Sequence, residues 1–256
     1  MHLGFPQHVL VVPVAIGGAV CLTVGPGPSL AQSPLPQVIQ GNVAGSPFTG
    51  WGPEVDRAFQ EQNQHSDYTA EIHYDLGLYF YEQGEFDLSL RHYRKAAEID
   101  PGFPEAYFGI GLLFYTLGDD ENAIKFYRRS LECNPTDADT RNNLGLIYYR
   151  RGELNLAREQ IEEALRLQPS FPDALYNLGL VYYQENRLEV AVRHFQGALT
   201  QDPTYVRARF NLGVVFYELG DLDQAEEQWA KVLESAPDTD LALQAQQNLT
   251  TLRSGE

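Results

Sequence analysis

Five tyrosines, Tyr81, Tyr115, Tyr149, Tyr183 and Tyr217, stand 34 residues apart, and three asparagines, Asn143, Asn177 and Asn211, keep the same spacing. The chemistry they offer is recognition rather than bond making. An asparagine amide presents a donor and an acceptor together, so it can pair with a ligand's backbone whatever side chains the ligand carries. A tyrosine ring stacks while its hydroxyl finds a polar partner. No catalytic constellation accompanies them. The six histidines are scattered, none at metal-ligand spacing with a second His or Cys, and there is no phosphate-cradling glycine loop or nucleophile motif. No enzyme activity, cofactor or metal site is expected.

The elements that must position these groups follow the same period. Pro101, Pro135, Pro169, Pro203 and Pro237 are each 34 residues apart, as are Gly77, Gly111, Gly145, Gly179 and Gly213. Five copies, 70–103, 104–137, 138–171, 172–205 and 206–239, form a stack of units, none of which can bury its apolar face alone. In the fourth copy Leu175, Leu178, Gly179 and Tyr182 recur at helical spacing. Leu188, Ala191, Phe195 and Ala198 do so after an interruption at Asn186, so each unit is a pair of helices, A and B. Gly84, Gly118, Gly152 and Gly220 fill the place of Asn186 in the other copies, and both residue types tolerate the left-handed conformation that closes a helix. The recurring proline then ends helix B. A glycine inside helix A costs about 1 kcal/mol against alanine. Its expected purpose is a close crossing with the small residues of helix B, Ser89, Ala123, Ala157, Ala191 and Ala225. Large residues are expected to flank that crossing: Phe80, Phe114, Tyr148, Tyr182 and Phe216 on A, Tyr93, Tyr127, Ile161, Phe195 and Trp229 on B.

Leu76-Gly77, Ile110-Gly111, Leu144-Gly145, Leu178-Gly179 and Leu212-Gly213, each with an aromatic three residues after the glycine and a terminal proline, resemble the tetratricopeptide repeat. That family's opening tryptophan is replaced by His73, Tyr107, Arg141, Leu175 and Arg209. The resemblance covers residues 70–239. It implies an all-α fold: a right-handed α-solenoid of five helix-turn-helix repeats, closed by a capping helix over 240–256 with Leu241, Ala245, Leu249 and Leu252 on its inner face. In such solenoids the face of helix A turned away from helix B lines a concave groove.

Asn143, Asn177 and Asn211 share that face with Tyr115, Tyr149, Tyr183 and Tyr217. The three amides resemble the asparagine ladder in the repeat superhelix of O-linked N-acetylglucosamine transferase, which holds extended peptides. Two alternatives stand beside this reading. The amides are solvated surface groups, or the aromatic stripe is core, as the fifth and ninth places, Tyr74, Phe108, Tyr176, Phe210 and their leucine companions, are expected to be. The family's carboxylate clamp is not expected, because Tyr74 and Leu78 occupy its positions. Glu71, Glu105, Asp139 and Asp173, with Arg207 in the last copy, could meet a basic ligand, but acids in a helix's first turn are explained more simply by the macrodipole.

The formal charge of −17 lies wholly after Trp51 and excludes nucleic acid as a partner. Before it, the apolar run Val9 to Val24 and Ser29-Leu30-Ala31 look like a secretory signal over 1–31, which predicts an exported, periplasmic or equivalent lumenal protein. The alternative is a membrane anchor at residues 9–24, although 16 apolar residues fall short of the roughly 20 that span a bilayer. Residues 32–69 are rich in Pro, Gly, Ser and Gln and read as a tether, with Val55 and Phe59 on a short helix. After signal removal Cys133 is the single cysteine left, and it reads as a small apolar residue of helix B. The functional expectation is a scaffold or assembly factor that binds a peptide segment of a protein partner, a member of a membrane complex being one candidate; the alternative is a self-associating scaffold without a dedicated ligand.

Overall fold

The computed structural model describes residues 69–254, together with the backbone of two two-residue strands, Ala15–Ile16 and Ala19–Val20, that pair with each other. Apart from those four residues, the signal and the anchor lie outside the described residues, as do nearly all of the tether and its short helix. Eleven α-helices are described: α1 (Ala70–Glu82), α2 (Phe86–Ile99), α3 (Pro104–Thr116), α4 (Asp120–Cys133), α5 (Ala138–Arg150), α6 (Leu154–Leu167), α7 (Pro172–Gln184), α8 (Leu188–Gln201), α9 (Val206–Leu219), α10 (Leu222–Ser235) and α11 (Asp240–Ser254). The fold is an all-α helical solenoid. Its helices fall in two compact units, α1 to α4 and α5 to α11. No described helix is long and apolar enough to cross a membrane.

Local chemistry sets each boundary. Proline opens α3 and α7, where a missing N–H costs nothing. Asp119 and Asp221 accept hydrogen bonds from the backbone N–H groups of Asn122 and Gln224, three residues on, and so cap α4 and α10. Every A-to-B turn contains one residue in the left-handed region: Gly84, Gly118, Gly152 and Gly220 at φ 74–79°, and Asn186 at 57°. Helices B end on an extended residue ahead of the proline, as Asp100 does at φ −127° and ψ 97°.

Packing follows the chain: α1 on α2 and α3 in the first unit, then α5 on α6 and α7, and so on to α11, which lies on α10 and α9. The helix A glycine meets the large residue of helix B at closest range. A methyl group added at Gly179 would stand 2.6 Å from Cε1 of Phe195, and one at Gly213 2.6 Å from Nε1 of Trp229. Gly77 and Gly111 face the rings of Tyr93 and Tyr127 in the same way. The glycine therefore makes a shelf for the large residue of helix B. At Gly145 the facing side chain is the slimmer Ile161, and here the carbonyl of Ala157 does come within 3.1 Å of the added methyl. A second staple was not apparent from the sequence: Phe80 stacks on His92, Phe114 on Phe126 and Tyr182 on His194, with ring centroids 5.1–5.6 Å apart.

The terminal helix turns Ala242, Ala245, Asn248 and Leu249 inward and leaves Leu241 and Leu252 half-buried. Asn248, which begins the glycosylation sequon Asn248-Leu249-Thr250, thus belongs to the buried face. Cys133 is a free, half-buried thiol at the end of α4, 3.7 Å from the carbonyl of Pro101.

Candidate peptide-binding face

In the second unit the A helices are α5, α7 and α9, and the residues of interest recur at the same places on each. They are Asp139, Asn142, Asn143 and Tyr149 on α5; Asp173, Tyr176, Asn177 and Tyr183 on α7; and Arg207, Phe210, Asn211 and Tyr217 on α9. Helical spacing alone leaves the asparagines at a solvated surface. They are instead buried, with exposures of 5% for Asn143, 1% for Asn177 and 0% for Asn211.

Two of them are cross-links. Asn177 donates its Nδ2 to Oδ1 of Asn142 on the preceding A helix at 2.9 Å, and Asn211 donates its Nδ2 to the hydroxyl of Tyr176 at 2.8 Å. Both bonds span 35 residues, one repeat plus one place. They explain why polar groups stand at the fifth place, where the sequence predicts core: Asn142 and Tyr176 are fully buried, and each receives an amide from the next repeat. Each donation leaves an oxygen behind. Oδ1 of Asn177 and Oδ1 of Asn211 are buried without a hydrogen-bond partner, as is Nδ2 of Asn142. An unsatisfied buried polar atom costs roughly 1–3 kcal/mol; here the two oxygens lack a donor and the Asn142 nitrogen lacks an acceptor among the described residues. Asn143 makes no side-chain hydrogen bond among the described residues.

The tyrosines divide by unit. Tyr81 and Tyr115, on α1 and α3, are buried, and the Tyr81 hydroxyl meets Oγ1 of Thr116 at 2.6 Å. Tyr149, Tyr183 and Tyr217 are half-buried. The Tyr183 hydroxyl donates to the carboxylate of Glu218 on α9, again one repeat and one place away. Burial pushes the Tyr149 phenol above its ordinary value, and burial followed by the Glu218 carboxylate does the same for Tyr183. Both phenols are therefore held in the neutral form, and that of Tyr183 donates to Glu218. Tyr217 packs its ring 6.0 Å from that of Trp229.

Charge is unevenly compensated on the same face. Oδ1 of Asp173 accepts a 2.5 Å hydrogen bond from the hydroxyl of Tyr205. Asp139 is raised above the usual carboxylate range, first by burial and then by the neighbouring charges of Asp137 and Asp173. Helix-dipole stabilisation, the reading favoured from sequence, would lower it instead. Among the described residues no group of three or more His, Cys, Asp and Glu side chains is placed to hold a metal ion.

Family models described as tetratricopeptide repeat match residues 74–138, 142–206 and 182–249. No curated protein matches. Among solved structures, that of MamA is 26% identical and superposes with a TM-score of 0.56 over 62% of this chain and 94% of its own. TTC0263, a thermophilic repeat protein of the same kind from Thermus thermophilus, is also 26% identical, with a TM-score of 0.60 over 71% of this chain and 100% of its own. YrrB, described as having an unusual peptide-binding site, shares the fold at 23% identity and a TM-score of 0.56, over 77% of this chain and 100% of its own.

Proposed function

The chain belongs to the tetratricopeptide repeat family, and on that premise we propose that it is a non-catalytic protein–protein interaction scaffold that holds an extended partner segment against the A-helix face of α5, α7 and α9. One observation carries the reading: Tyr183 and Tyr217, on consecutive A helices, keep half-buried rings at the surface of the helices that also hold Asn177 and Asn211. A segment crossing these helices can stack on the tyrosine rings and hydrogen-bond to their hydroxyls. Asn143 extends the row by one helix. Tyr149, Tyr183 and Tyr217 offer half-buried rings along it. The reading includes export, supported by the apolar run and Ser29-Leu30-Ala31, and therefore a partner met outside the cytoplasm.

The test is to crosslink the full chain in its native compartment, identify the captured segment and measure its affinity as a synthetic peptide for wild type, Asn143→Ala and Asn177→Ala. Each lost amide contact should weaken binding about two- to tenfold. Asn143 supports no internal hydrogen bond, so its variant should keep the wild-type melting temperature while losing affinity. Unchanged affinity in both variants places the ligand elsewhere.

A further inference from the structure

Besides the Asn142–Asn177 bond, a cluster around one ring ties the third repeat to the fourth. Tyr182, near the end of α7, is buried, and its hydroxyl donates to Oε1 of Glu162 on α6 at 3.2 Å. Two groups hold its ring. The half-buried imidazole of His194 on α8 stacks on it, with centroids 5.1 Å apart and planes 8° from parallel, and the Arg187 guanidinium stands over it, 4.6 Å from the centroid. Arg187 also pairs with Glu185 at 3.4 Å, and Glu185 takes the guanidinium of Arg158, on α6, at 2.5 Å. Tyr182 and Glu185 thus both reach back to α6, and His194 is the member of the cluster whose charge changes near neutral pH.

What this place on helix B requires is a flat ring, not a charge. In the second repeat the same place holds Phe126, stacked on Phe114 with planes 10° from parallel. A proton on His194 sets a second cation against a ring that already carries Arg187. Burial and then the charge of Arg193 hold His194 below its ordinary value of 6.5, with Glu162 opposing. Glu162 is also the acceptor of the Tyr182 hydroxyl, so an imidazolium attracts the carboxylate on which that hydroxyl depends. The folded chain resists a proton that a freed His194 would take. The stacked arrangement is therefore favoured above 6.5 and loses ground as the pH falls below it.

We propose that His194 is a pH-sensitive latch between the third and fourth repeats: as a neutral ring it keeps Tyr182 bonded to Glu162, and on taking a proton it releases Tyr182 and loosens α7 and α8 against α6. The latch is independent of the peptide-binding reading. It acts between the helices that follow α5 and α7 on the chain, and it leaves the Asn142–Asn177 bond as the tie that does not titrate.

The experiment is amide hydrogen exchange on the full chain, read by mass spectrometry over α6, α7 and α8. Between about pH 7.5 and about pH 5.5, a range above the ordinary carboxylate values, these helices should lose protection about fivefold beyond the change in intrinsic exchange rate. His194→Phe, which adopts the pairing of the second repeat, should abolish that loss. His194→Gln should abolish it as well, since glutamine stands at this place in the third and fifth repeats, as Gln160 and Gln228, and carries no titrating group. Protection that is retained by wild type at the lower pH, or a loss that persists in either variant, overturns the latch. So does a His194 imidazole that titrates at or above its ordinary value in proton NMR.

Discussion

Substituting Gly179 and Gly197 by alanine, one at a time, adds the same methyl group twice within one repeat and should move stability in opposite directions. Both glycines lie inside helices, α7 and α8, so each substitution carries a propensity gain of about 1 kcal/mol. At Gly197 the new methyl finds Cδ1 and Cδ2 of Leu175 at 3.6 and 3.7 Å, which is ordinary contact, and the gain stands. At Gly179 it would lie 2.6 and 2.7 Å from two carbons of the Phe195 ring. Carbon atoms settle at about 3.5–4.0 Å, so the ring must retreat by about 1 Å. Phe195 cannot do so freely. It is fully buried, and its centroid is 5.6 Å from that of Tyr176, which in turn receives the amide of Asn211. Overpacking of this kind costs about 1–3 kcal/mol. Set against the propensity gain, Gly179→Ala should destabilise by about 1 kcal/mol, leaving the two variants about 2 kcal/mol apart. Urea unfolding followed by far-ultraviolet circular dichroism measures the difference. Midpoints that shift in the same direction would refute the shelf as the reason for the glycine.

Three further outcomes are expected. Asn211→Ala removes the donor to Tyr176 from a fully buried site and should lower stability by about 1 kcal/mol, whereas Asn143→Ala, with no such bond, should leave the urea midpoint unchanged. His73 is held below its ordinary value of 6.5, first by burial and then by Lys95, with Glu98 opposing. The unfolded chain therefore binds a proton that the folded chain resists, and the His73 contribution is fully present above that value and lost as pH falls below it. The urea midpoint should accordingly drop between neutral pH and mildly acidic pH, and His73→Gln should flatten that slope; parallel slopes would show that His73 is not involved. N-terminal sequencing of the native protein should begin at Gln32, and an intact Met1 in the membrane fraction would instead establish the anchor.

The all-α solenoid was legible because its determinants are local. A proline, a left-handed turn residue and a helical stripe each act within a few positions of themselves, so a 34-residue period carries the fold openly. The depth of a face is not local. Asn177 and Asn211 share the face of Tyr183 and Tyr217, but periodicity does not say what lies opposite, and what lies opposite is the preceding repeat displaced by one place. The displacement could have been found by pairing residues 35 apart instead of 34, which joins Asn142 to Asn177, Tyr176 to Asn211 and Tyr183 to Glu218. The raised carboxyl of Asp139 is hidden for a related reason. An acid in a helix's first turn has a sufficient explanation within its own helix, and only its burial in the folded chain raises the Asp139 carboxyl instead.

The one-repeat reach of those bonds also governs how the molecule would yield to force. In α5 to α11 the longest side-chain hydrogen bonds close loops of 35 residues, so a rupture under tension frees one unit of chain and leaves the next still latched. At about 3.3–3.6 Å per extended residue, each release adds on the order of 110–120 Å of slack. Pulled by its ends, this part of the chain would lengthen in steps of equal size rather than give way at once. A tethered partner would then meet a graded spring, whose travel is set by the number of repeats and whose stiffness at each stage is set by a single interface.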